Sequence, residues 1–183
     1  MKNLTTKELI LCALFTALIA IGAFIRIPIP QVPFTLQLLF TTLAGLLLGA
    51  KLGGISVLVY LFLGLIGLPI FAEGGGFGYL FQPTFGYLIG FAIGAFATGY
   101  IAHRVQNPSL KRILVANFAG LFIVYCFGLI YYYLIANYVI HTPIALWPLF
   151  LYGFILAVPG DIVICILVAF IARRILPILE FRE

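Results

Sequence analysis

Hydrophobic residues in this chain fall in long, nearly unbroken runs, not in the alternating or one-sided patterns of soluble strands and helices. The runs cover residues 9–27, 35–50, 52–72, 83–102, 113–139 and 145–172. A helix needs about 20 apolar residues to cross a bilayer. Five of the runs reach that length. Run 35–50 is short, but residues 36–49 are too apolar for a loop, so six membrane helices are expected. The last two runs exceed a crossing, which points to tilt or a break. The first run follows Lys2 and Lys7 as a signal peptide would. It is longer than the 7–15 residues, roughly, of a signal h-region, so we read it as a retained helix.

The most irregular interruption is Glu73-Gly74-Gly75-Gly76-Phe77-Gly78, between two strongly apolar segments. Glycines hold helical dihedrals poorly and permit close backbone approach. At membrane depth such backbone is tolerated where it is buried in protein or lines a cavity. The stretch is either a solvent-exposed turn or a loop folded over a pocket. Pro83-Thr84 and the aromatics Phe77, Tyr79, Phe81 and Tyr87 favour the loop.

Composition agrees. The chain of 183 residues is 64% hydrophobic and 8% charged, with mean hydropathy +1.25, against roughly 25% charged in soluble proteins. An all-α polytopic membrane protein follows, as a single domain over residues 1–183. With the N-terminus in the cytoplasm, Lys2, Lys7, Lys51, Arg104, Lys111, Arg112, Arg173, Arg174 and Arg182 lie inside and Arg26 outside. The formal charge of +5 is therefore topology and not a nucleic-acid footprint. Six crossings return the C-terminus to the cytoplasm. The outer connections are Pro28-Ile29-Pro30-Gln31-Val32-Pro33, the glycine loop and residues 138–148. Tyr131, Tyr132, Tyr133, Tyr138 and Trp147 crowd that level, as an interfacial belt would. Three special loops on one side point to an outward-facing site.

Asp161 is the sharpest single residue, about 16 residues into the last run and so near the bilayer middle. An intramembrane Asp costs about 2.5–3.5 kcal/mol on insertion scales and marks a functional site by default. No Lys or Arg stands at mid-span to pair with it, and Pro159-Gly160 loosens the backbone just before it. It either bonds a neighbour such as Asn117, a Tyr or a backbone N–H, or faces a cavity and accepts from ligand N–H groups. Catalysis finds little support. The other acidic residues are Glu8, Glu73, Glu180 and Glu183, His103 and His141 stand apart, and Cys12, Cys126 and Cys165 are isolated. Neither a metal site, a Ser-His-Asp set nor a P-loop is present in the sequence, so energised transport must borrow an ATPase.

Four motifs make a resemblance specific: Val32-Pro33-Phe34-Thr35-Leu36-Gln37, Gly64-Leu65-Ile66-Gly67-Leu68-Pro69-Ile70-Phe71-Ala72, Pro83-Thr84-Phe85-Gly86-Tyr87-Leu88-Ile89-Gly90-Phe91 and Pro159-Gly160-Asp161. In order and spacing they resemble the biotin-specificity (BioY-type) S component of energy-coupling factor transporters, over nearly the whole chain. The resemblance implies a prokaryotic plasma-membrane protein with both termini inside. It also implies an outward-opening biotin site, a transmembrane coupling subunit and two cytoplasmic ATPases as partners, and surrounding lipid. A homo-oligomer is a further assembly open to the chain alone, and no cofactor is implied. Asp161 matches a ureido-binding acidic residue. Gly76, Gly78 and Tyr79 match the covering loop, and Thr35, Gln37, Thr84 and Tyr87 match positions near the pocket. Ala13 and Ala17 match an Ala-x-x-x-Ala docking motif on the first helix.

Two positions depart from the family. Ile164 stands where a Lys is common, one turn after Asp161, leaving the group that takes the biotin carboxylate unassigned. Gln82 stands where Gly is usual, either donating to the ligand or satisfying loop carbonyls. The alternatives are an S component for another vitamin, or an intramembrane enzyme acting on a lipid or acyl substrate. The enzyme would need a second carboxylate or a His at the depth of Asp161.

Overall fold

A computed structural model describes residues 5–27 and 32–178. Lys2, Pro28, Ile29, Pro30, Gln31, Glu180, Arg182 and Glu183, which carry part of the charge and loop reading above, lie outside the described residues.

Helix α1 (Thr6–Phe24) starts at a capping box in which Thr5 N donates to Glu8 Oε2 at 2.6 Å and Glu8 N to Thr5 Oγ1 at 3.3 Å. Two short strands follow, β1 (Arg26–Ile27) and β2 (Phe34–Thr35), antiparallel with Arg26 opposite Thr35. They are a small exception to an otherwise all-helical chain. Helix α2 (Gln37–Leu65) leads to the glycine loop and a 3₁₀ turn at Phe77–Phe81. Then come α3 (Phe85–Ala102) and α4 (Leu110–Leu134), prolonged by a π turn over Ile135–Val139. The last segment is α5 (Leu146–Phe150), a π turn (Leu151–Ile155) and α6 (Val158–Ile175).

Among the described residues, five helical stretches are long and apolar enough to cross a membrane: Thr6–Phe24, Gln37–Leu65, Phe85–Ala102, Leu110–Val139 and Leu146–Ile175. Runs 35–50 and 52–72 thus share one stretch, but α2 is not straight. Gly49 has φ 79° and ψ 175°, a conformation that essentially requires glycine. The chain doubles back there. Gln37 Nε2 donates to the Tyr60 hydroxyl at 2.8 Å, whereas 23 residues of straight helix would span about 35 Å. Legs 37–48 and 50–65 therefore lie antiparallel.

Two expected runs end differently from their apolar patterns. Run 52–72 leaves the helix after Leu65, because Gly67 takes φ 117° and Pro69 cannot continue the ladder. Run 145–172 is broken ahead of Pro159, where the π turn shifts the hydrogen-bond register and Pro159 occupies the first turn of α6.

Small residues let the helices approach. A methyl group on Gly90 or Gly94 of α3 would come within 3.0 Å of the α4 backbone at Val124 or Gly120. The Thr16 hydroxyl of α1 lies 3.0 Å from Ser56 O on the second leg of α2. Asn117 Nδ2 of α4 donates to Cys165 O of α6 at 2.8 Å. The pairs Asn117–Cys165 and Tyr125–Asp161 run in opposite chain directions, so α4 and α6 are antiparallel. The start of α1, the Gly49 reversal, the end of α3, the start of α4 and the end of α6 therefore share one end. His103 touches Leu46 O there, at 2.7 Å, and Arg112 Nε donates to Ile101 O at 2.8 Å. Lys7, Lys51, Arg104, Lys111, Arg112, Arg173 and Arg174 gather at that basic end. Arg26 lies at the other.

Candidate functional site

A cavity opens at the end opposite the basic one, between the start of α2, the glycine loop, α3, α4 and the break before α6. Its empty volume, counted with the open mouth, is about 620 Å³. The wall is aromatic and aliphatic, with Phe34, Tyr79, Tyr87, Phe91 and Tyr125 among its members, and polar at Thr35, Gln37, Thr84 and Asp161.

Asp161 lies in the first turn of α6, where its backbone N–H donates to Ala157 O at 3.1 Å. The side chain is half-buried and faces the cavity. Its Oδ2 accepts from the Tyr125 hydroxyl of α4. Of the two readings above, the structure joins both, since Asp161 has a tyrosine partner and also lines a cavity. Gly160 leaves room beside it for the Phe34 ring. A methyl there would stand 2.6 Å from Phe34 Cε2, so the glycine lets that ring lie against α6.

The other proposed residues divide. Thr35, Gln37, Tyr79, Thr84 and Tyr87 line the cavity beside Asp161. Gln37 is nearly fully buried and already committed, accepting from Thr35 Oγ1 at 3.1 Å and donating to Tyr60, whose hydroxyl donates to Ile70 O at 3.0 Å. Tyr87 offers its ring to the cavity while its hydroxyl donates to Gly153 O at 2.8 Å. Thr84 Oγ1 is buried beside the Tyr79 hydroxyl, yet in no geometry that completes a hydrogen bond. A buried hydroxyl left in this state can be satisfied by a ligand.

Gly76, Gly78 and Gln82 are not part of the wall. The glycine loop is folded in, as the aromatics suggested, but by another route. Gly76 takes φ 94° and donates its N–H to Gly64 O at 2.7 Å, which folds the loop back onto α2. Ala72 and Tyr79 then reach the wall, while Phe77 and Phe81 turn outward with 73% and 56% of their surface exposed. Gln82 is exposed, and Ile164 is packed in the apolar core instead of facing the cavity. Ala13 and Ala17 lie on the exposed face of α1.

The residue that sequence reasoning missed is Tyr125. It lies in a 25-residue apolar helix, where an interfacial or packing tyrosine looks the same in sequence. Its ring packs edge-on against Tyr87 and Phe154, with centroids 6.2 and 4.9 Å away.

Residues 1–181 match the model of the BioY family. The chain is 46% identical over 175 residues to the probable biotin transporter BioY of Lysinibacillus sphaericus, covering 96% of this chain and 89% of that one. It is 39% identical over 170 residues to the biotin transporter BioY of Thermotoga maritima, covering 92% and 95%. Among solved structures, it resembles the S-component for biotin from an ECF-type ABC transporter, with a TM-score of 0.82 and 30% identity. That match covers 98% of this chain and 100% of the other.

Proposed function

The chain belongs to the BioY family, and on that premise we propose that it binds biotin in the cavity beside Asp161 as the specificity subunit of an energy-coupling factor transporter. One observation carries this reading: a carboxylate, Asp161, in the wall of a cavity otherwise built of uncharged, mostly aromatic and aliphatic groups. The ureido ring of biotin presents two N–H donors, and a carboxylate accepts such bonds more strongly than a neutral group. The fused ring and alkyl chain suit the aromatic and aliphatic remainder of the wall.

The topology we infer has six crossings, the two legs of α2 counting separately because of the Gly49 reversal. The basic end faces the cytoplasm, as the distribution of Lys and Arg favours, so both termini are inside and the cavity opens outward. The chain sits in the plasma membrane in contact with lipid. Energy comes from a transmembrane coupling subunit and two cytoplasmic ATPases, docked through the exposed Ala13–Ala17 face of α1. The transporter names of the relatives favour this reading over an intramembrane enzyme.

The test is a thermal-shift and isothermal-titration panel of vitamins on the purified protein. Biotin at 100 times its Kd should add about 2.7 kcal/mol of stability. A clear shift with riboflavin or thiamine and none with biotin would move the assignment to another vitamin.

A further inference from the structure

Among the residues lining the cavity Asp161 is the one charged group, and it is negative. Ile164, one turn further on, is 5% exposed and packed in the core. A ligand with an anionic tail therefore meets no cation in the wall. At the rim it does. The Arg26 side chain donates from Nη1 to Ala72 O, and Ala72 is part of the wall. The Arg26 backbone lies opposite Thr35 in the β1–β2 pair, and Thr35 is also part of the wall. The strand pair thus fixes the Arg26 backbone beside the wall, and the bond to Ala72 O ties its exposed guanidinium to a residue that faces the cavity.

Burial raises the Tyr79 phenol above its ordinary value, with the Glu73 charge adding to the rise and the Arg26 charge opposing it more weakly. A guanidinium has five N–H donors in a fork that fits a carboxylate with two parallel bonds. The bond to Ala72 uses one donor, and Arg26 has no carboxylate partner among the described residues. Nor does membrane topology call for it. The other described cations gather at the opposite end, so a lone cation on this face runs against the charge rule that orients the rest.

We propose that Arg26 binds the carboxylate of the transported ligand, so that the site reads ring N–H donors at Asp161 and an anionic tail at Arg26. This rests on the biotin reading above and supplies the cation that Ile164 does not.

The test compares biotin with biotinamide, which keeps the ring and chain but has no charge, by isothermal titration on the purified full chain. The wild-type protein should prefer biotin by about ten- to a hundredfold, the worth of a hydrogen bond to a charged group. Arg26→Gln should bring biotin down to the affinity of biotinamide and leave biotinamide unchanged. Arg26→Lys, which keeps a cation but not the fork, should retain a reduced preference. Equal weakening of both ligands in Arg26→Gln would show that the residue acts by holding the loop, and an undiminished preference would place the cation elsewhere. Either result overturns the proposal. A wild-type protein that binds both ligands equally overturns it while leaving biotin as the substrate. One that binds neither removes the substrate assignment and this proposal together.

Discussion

The Tyr125 hydroxyl donates to Asp161 Oδ2 across the α4–α6 interface, which commits one oxygen of a carboxyl group that lines the cavity. The bond fixes the side-chain orientation as well as its partner. An unbonded carboxylate at the start of a helix can rotate, whereas this one is held in a set direction.

From that arrangement we expect Asp161→Asn to weaken biotin binding by about ten- to a hundredfold, the loss of a charge-assisted bond. Tyr125 will claim the amide oxygen, so the amide NH2 turns toward the cavity and meets ligand N–H groups donor to donor. The melting temperature should stay level or rise, because an intramembrane charge has been removed. Titration and thermal melting read the two effects separately. Normal binding with a lower melting temperature would make Asp161 structural.

Tyr87→Phe should do the reverse. Its hydroxyl satisfies Gly153 O in the π turn before α6, and leaving that buried carbonyl unpaired costs about 1–3 kcal/mol. Stability should fall, while biotin affinity drops by less than about tenfold because the ring stays in the wall. A large affinity loss at unchanged stability would make the hydroxyl a ligand contact.

Gly49→Ala tests the reversal within α2. A side chain at φ 79°, ψ 175° is strained by about 1–3 kcal/mol. We expect a lower melting temperature with biotin affinity per folded molecule preserved, since Gly49 lies at the basic end, away from the cavity. A variant as stable as wild type would show that the strain is absorbed elsewhere.

Ala13→Leu combined with Ala17→Leu should leave biotin binding intact and abolish both co-purification with a coupling subunit and uptake. Both alanines lie on the exposed face of α1, and bulk there keeps a partner helix from close approach. Retained co-purification would move the docking surface to another helix.

Much of this protein is determined locally. Long apolar runs fix helical membrane segments because in lipid every backbone group must find its partner within the helix. The gathering of cations at one end follows from where those runs stop. Asp161 stands out because a charge in apolar sequence has few innocent explanations. The helix ends were less legible. Run 52–72 is apolar to its end, but Phe71 leaves the helix to pack against Tyr60 and Tyr79, with ring centroids 5.3 and 4.6 Å away. Hydropathy alone cannot tell such a buried loop residue from a helical one.

What only the tertiary structure decided are the pairings between distant positions. Gln37 reaches Tyr60, Tyr125 reaches Asp161, and Arg26 reaches Ala72 because helix reversals and loop returns bring them together. In sequence Tyr125 is one more tyrosine of an apolar helix, and Arg26 is the cation left on the outer side. Their meaning lies in the partner, and sequence spacing of 36 and 46 residues carries no geometric information about who that partner is. Periodicity constrains neighbours within one helix, while contacts between helices depend on the packing of small residues and on the direction in which each loop returns the chain.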